Sequence, residues 1–67
     1  MNNLAKFGDV VALLDDASAM ALISGQVGTI VESLDGANFL VEFNDNRGRA
    51  NVIAPFLSSQ LLVLRGI

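Results

Sequence analysis

Seven carboxylates, Asp9, Asp15, Asp16, Glu32, Asp35, Glu42 and Asp45, are the residues of this chain that could move a proton or hold a cation. Asp15-Asp16 invites an acid/base reading. Adjacent residues of a strand point to opposite faces, however, and the pair sits beside a loop signal, so it reads as a solvated loop start. The rest of a catalytic inventory is missing: there is no His, Cys, Tyr or Trp, and Lys6 is the single lysine. Nucleophilic catalysis thus lacks its usual base, and imidazole and thiol metal ligands are absent. The expectation is a non-enzyme with no cofactor and no metal. Asn44-Asp45-Asn46-Arg47-Gly48 has the polar look of a calcium loop. An EF-hand loop needs acids at alternating positions, Gly at the sixth and Glu at the twelfth, and none of that spacing is met. The segment reads as a polar hairpin turn.

Arg47 and Arg49 flank Gly48 and form the one local basic spot. It balances Asp45 and Glu42, or it steers an acidic partner. Nucleic-acid binding would need a positive stripe and stacking aromatics. A net charge of −3 and only four Phe argue against it, and Phe39 and Phe43 have ready places in a core.

The elements that must carry these residues are short. Ser24-Gly25, Asp35-Gly36, Asn44 to Gly48 and Pro55 to Ser59 are turn signals. Between them lie Asp9–Leu14, Gln26–Leu34, Ala37–Phe43, Arg49–Ala54 and Leu61–Leu64, each strand-sized and rich in Val, Ile, Leu or Phe. Phe39, Val41 and Phe43 alternate with Asn38 and Glu42, and Leu40 breaks the polar face, which marks it as a candidate contact residue. Asp35-Gly36 suits a two-residue hairpin turn, which needs positive φ at both central positions. Gly28 inside a strand suggests a bulge or a sharp bend. Val10, Leu14, Ala17 and Ala21 recur at helical spacing, so from periodicity alone a short amphipathic helix competes with a strand and loop over Val10 to Ser24. Five short strands with regular turns favour an all-β barrel or sandwich.

Sixty-seven residues make one domain, residues 1–67. Such a chain buries only about 60% of the surface its unfolded form exposes. Disulfide and zinc staples are excluded by the missing Cys and His. At 52% hydrophobic and 16% charged, the chain has more apolar side chains than charges to cover them, and part of the excess is expected at an interface. Residues 1–6 and the apolar run after them faintly suggest a signal peptide. Asp9 interrupts that run, Asp15-Asp16 follows it, and cleavage would leave too little chain to fold. No stretch approaches the roughly 20 apolar residues of a membrane span. A cytoplasmic protein without a membrane partner is expected.

Ser24-Gly25-Gln26-Val27-Gly28-Thr29-Ile30-Val31-Glu32 resembles the Gly-x-Val-Gly-Thr-Ile/Val-Val segment of SH3-like barrels, including the KOW type of ribosomal and transcription factors. With Asp9 to Leu14, Phe39 to Phe43, Asn46 to Arg49 and Gln60 to Leu64 in order, the chain from about Phe7 to Leu64 resembles a family of small bacterial proteins known only as a domain of unknown function. The resemblance implies a five-stranded, SH3-like, partly open barrel, with Val10–Leu14 a strand and about residues 15–25 a long first loop. Members commonly carry Lys or Arg just before Gly-Gln-Val-Gly. Leu22-Ile23-Ser24 stands there in this chain, which implies an apolar contact instead of a basic one. Such proteins are often encoded beside toxin-like or nuclease-like genes, which implies an antitoxin or immunity role. SH3 domains grip polyproline with Tyr and Trp, and this chain has neither.

The functional expectation is a protein–protein interaction module, in one form an antitoxin or immunity protein whose acidity masks a basic partner encoded by a neighbouring gene. Its candidate partner-binding residues are Leu22, Ile23, Leu40, Arg47, Arg49, Phe56 and Leu57. A self-assembling or accessory subunit, a homo-oligomer paired through Leu61–Leu64, is the second reading. KOW-like nucleic-acid binding is the third and the least favoured.

Overall fold

The computed structural model describes residues 5–43 and 52–64. Among them, β1 (Val10–Leu13), β2 (Val27–Ser33), β3 (Asn38–Phe43), β4 (Val52–Leu57) and β5 (Leu61–Leu64) form one open antiparallel sheet in the order β4-β3-β2-β1-β5. Successive strands pair as hairpin neighbours from β1 to β4, and β5 returns to the free side of β1.

The core follows from the two-residue period of the strands. In β3, Phe39, Val41 and Phe43 are buried while Asn38, Leu40 and Glu42 are half-buried on the other face. The register lays Phe39 against Phe56 and Val41 against Ala54 in β4. Val11 and Leu13 of β1, Ile30 of β2 and Leu61 of β5 complete the same inner face. Phe43 and Phe56 meet edge to face at 5.5 Å and 78°, an arrangement worth about 0.5–1.5 kcal/mol beyond the area it buries.

Several expectations are corrected. The helical competitor does not form: Val10–Leu13 is a strand, and the loop after it holds one 3-10 turn, Ser18–Met20. Pairing of Val10–Ala12 with β2 and of Val10–Leu13 with β5 fixes the segment as extended instead. The hairpin around Asp35-Gly36 forms, but its loop spans the four residues 34–37, and neither Asp35 nor Gly36 has positive φ. The Asp35 carboxylate shapes it instead, with Oδ1 accepting the Ala37 N–H at 2.8 Å and the Asn38 N–H at 2.9 Å. A side chain that satisfies two backbone donors replaces the positive-φ turn.

Gly28 is not the bulge. The register shifts between Ile30 and Glu32, three strand positions from where the glycine suggested. Gly28 instead pairs with Phe43, and a Cβ on it would stand 2.7 Å from the Glu42 carbonyl oxygen and 2.8 Å from Phe43 Cδ1. Only a residue without a side chain lets the Phe43 ring lie there.

Pro55 does not end the fourth strand. It pairs with Leu40 in the middle of β4, and the 3-10 turn Ser58–Gln60 makes the connection to β5. β4 is an edge, where a residue lacking N–H can face outward without costing a ladder bond. The expected turn Asn44–Gly48 and the start of the expected strand at Arg49 lie outside the described residues.

Candidate interaction surfaces

The first loop is built as an extension of the β1–β2 hairpin. Leu13 N–H donates to the Gln26 carbonyl (2.9 Å), and Gly25 N–H donates to the Leu13 carbonyl (2.7 Å). Ser24 Oγ donates to the Leu14 carbonyl at 3.0 Å, and Ser24 N–H donates to Asp16 Oδ1 at 2.8 Å. Further out, Ala17 and Leu22 exchange both backbone bonds, so the tip is closed by a bridge. That bridge turns Leu22 into the core and leaves its neighbour Ile23 64% exposed. Ala21, at the tip, takes the left-handed conformation (φ 59°), the one described non-glycine residue to do so.

Between this loop and the β3–β4 hairpin opens a cleft of about 260 Å³. Met20, Ala21, Leu22, Ile23, Gln26, Phe43 and Val52 line it. None of the described residues that line it is titratable.

The second surface is the outer face of the sheet. Register sets Leu64 beside Val10 and Val10 beside Thr29, then Leu62 beside Ala12 and Ala12 beside Val27. Val10, Val27, Leu62 and Leu64 are 41–51% exposed, so three adjacent strands present a contiguous apolar patch ending at the β5 edge. The other half of the outer face is mixed. Glu42 lies between Thr29 and Ile53, and Leu40 between Glu32 and Pro55.

The expected contact residues divide accordingly. Leu22 and Phe56 are core side chains, 2% and 3% exposed, and cannot greet a partner in this fold. The loop bridge buries the first, and the alternation that continues through Pro55 buries the second. Ile23 lines the cleft and is exposed, and Leu57 is exposed on the outer face. Leu40, half-buried, is its diagonal neighbour there, because Leu57 pairs with Asn38 and Pro55 with Leu40. Arg47 and Arg49 lie outside the described residues. Of the outer patch, Leu62 and Leu64 fall in the strand expected to pair copies of the chain, whereas Val10 and Val27 were missed. The signal for the patch was present: β5 is apolar in both phases of the strand alternation, so one phase had to face outward.

Asp9, Asp16 and Asp35 are engaged locally. Asp16 is engaged by Ser24, and Asp9 accepts the Lys6 N–H at 3.0 Å and approaches Lys6 Nζ at 3.8 Å. Asp35 is held below the usual carboxylate range, first by the Ala37 N–H, then by the Asn38 side-chain amide and the Asn38 N–H. Among the described residues no group of three or more acids could hold a metal ion, and no helix is long and apolar enough to cross a membrane.

The sequence profile of a domain of unknown function (DUF4926) matches residues 8–63. No curated protein and no solved structure matches the chain.

Proposed function

The chain belongs to this family, DUF4926, and we propose that it is a non-enzymatic protein-binding module built as an SH3-like, partly open barrel. The carrying observation is the apolar outer patch over β5, β1 and β2, whose Val10, Val27, Leu62 and Leu64 are left exposed by the described residues. Removing a half-exposed Leu from water contributes about 1 kcal/mol, so four such side chains supply a binding core of useful size.

The barrel reading is supported by connectivity: a long first loop, a β2-β3-β4 meander, a 3-10 turn, and a last strand that returns to β1. The Phe pair supports it too. Phe43 and Phe56 sit four register positions apart, about 13 Å along a flat ladder, yet their rings meet at 5.5 Å. A strongly coiled sheet brings such side chains together over its concave face.

The partner is a basic protein encoded beside this one, neutralised as an antitoxin or immunity protein neutralises its target. The chain's net charge of −3 favours such an encounter. Co-expression with the neighbouring gene's product should give a complex that survives purification, and should relieve any toxicity of that product. Separate elution of both proteins, with toxicity unrelieved, would remove this form of the reading.

Self-assembly is the second reading, favoured by β5 itself. This edge strand, Leu61-Leu62-Val63-Leu64, carries neither a charge nor a proline to discourage strand addition. Concentration-independent monomers in light scattering would exclude it. The KOW-like segment supports nucleic-acid binding only weakly, because in β2 its second glycine serves the Phe43 contact.

A further inference from the structure

In an antiparallel ladder, successive residues turn their backbone groups to one neighbouring strand and then to the other. Leu14 N–H donates to the Gln60 carbonyl, and the register runs on from that pair to Ala12–Leu62 and Val10–Leu64. Leu62 and Leu64 therefore direct their backbone groups at β1, while Leu61 and Val63 direct theirs away from it. The Leu61 N–H is taken by the Ser58 carbonyl. The Leu61 carbonyl and both Val63 groups are left on the free side of β5, with no backbone partner among the described residues. Charge is also absent from this edge. Along the Leu64–Val10–Thr29 row the first acid is Glu42, three strands in from β5. At the usual strand spacing that is roughly 14 Å, beyond a Debye length at physiological salt. The outer rows of two copies can meet here without apposing like charges.

We propose that a second copy of this chain pairs with β5, antiparallel, with Val63 on the two-fold axis. This rests on the reading of the β5–β1–β2 face as a binding face and names what meets the edge of that face. Residues directly opposite in such a ladder point to the same side of the sheet, so the axis falls on a residue and not between two. Among the described residues, only the Val63 register gives both Val63 groups partners, each N–H donating to the other copy's carbonyl. The same register sets Leu62 opposite the second copy's Leu64 on the outer side. The two apolar patches then continue into one face, with four Leu along the seam. The seam is smaller than the roughly 800 Å² per partner of a standard interface, so the pair forms in concentration-dependent exchange.

The chain has no cysteine, so engineered thiols read the register directly. Leu62 and Leu64 are exposed, and across the axis they form a non-hydrogen-bonded pair. Its Cα atoms stand about 4.5 Å apart, within disulfide range. The same residue of both copies is a diagonal pair about 7–8 Å apart, out of that range. Leu62→Cys and Leu64→Cys are mixed, one of them nitrogen-15-labelled, and oxidised in glutathione buffer. Mass spectrometry should find the mixed disulfide at least about tenfold above either self-linked product. In sedimentation, the parent should show reversible dimers. Leu62→Lys/Leu64→Lys sets like charges opposite each other across the seam and should give monomers with the parent's circular dichroism. Ile53→Lys, on β4, should dimerise like the parent.

A product dominated by self-linked Leu62→Cys would move the axis to Leu62 and overturn the assignment. A statistical mixture of the three disulfides would overturn it too, because random collision gives that result. Dimers that survive Leu62→Lys/Leu64→Lys but not Ile53→Lys would transfer the pairing to the other edge. Monomers up to about 1 mM would remove the pairing outright. The protein-binding reading would then be decided separately, by whether the monomer holds the co-expressed partner.

Discussion

The two edges of the sheet are built to opposite rules. β4 carries Pro55 at its centre, which removes one of the N–H groups that an added strand would need. Its outward side chains sit in rows with Glu42 and Glu32. β5 has four aliphatic residues and no proline, and its outward Leu62 and Leu64 run on into Val10, Ala12 and Val27. Natural sheets guard exposed edges, so an unguarded apolar edge opposite a guarded one is the edge that the proposed binding reading favours. In a chain of 67 residues, every apolar side chain left outside the core is a stability contribution forgone, which makes the asymmetry informative.

The comparison breaks first if the inner face does not hold both halves together. Phe56 and Ile53 lie on opposite faces of β4, buried and exposed respectively. Phe56→Ala should cost about 3–5 kcal/mol, enough to unfold much of a domain this small. Ile53→Ala should change the urea midpoint little, and similar costs for the two would refute the assignment of faces.

Gly28 is the joint between the halves, because it pairs with Val11 on one side and Phe43 on the other. Gly28→Ala must displace the Phe43 ring or the Glu42 carbonyl, and we expect a loss of about 1–3 kcal/mol. A neutral effect in thermal unfolding would mean that the ring does not lie where described.

The smallest expected effect concerns the β2–β3 turn. Asp35 has its carboxyl held low by the Ala37 N–H, the Asn38 amide and the Asn38 N–H. As pH falls, the unfolded chain therefore takes up that proton before the folded one does. The stabilisation is complete above the unfolded value of about 4 and is lost as pH falls through the lower folded value. Urea midpoints measured from about pH 6 down to about pH 2.5 should decline less steeply in Asp35→Asn than in the parent. Parallel declines would mean that the turn does not discriminate between the two protonation states.

Much of this was legible beforehand, and the exceptions share a cause. β3 announces itself because Phe39, Val41 and Phe43 alternate with polar neighbours, and the hairpin around Asp35-Gly36 follows from local turn chemistry. Pro55 misleads because its tolerance depends on whether its strand is an edge, which is a property of the whole sheet. Leu22 misleads because its burial comes from the bridge to Ala17, a loop feature with no period. Gly28 was recognised as special, but its reason lies across the sheet at Phe43. Of the candidate contacts, Ile23 and Leu57 reach the surface, whereas Leu22 and Phe56 are spent on the core. The outer patch as a whole was hidden because it is assembled from three strands, and register is what joins them.

The central claim is that the β5–β1–β2 face is the one that binds. It is tested most directly by measuring the affinity of the co-purifying partner for the parent, for Leu62→Asp/Leu64→Asp and for Ile53→Asp. All three substituted side chains are exposed, so the variants should keep the parent's fold. The account predicts a loss of about 100-fold or more for the double variant and no significant change for Ile53→Asp. Undiminished binding by the double variant, or an equal loss in both, would contradict it.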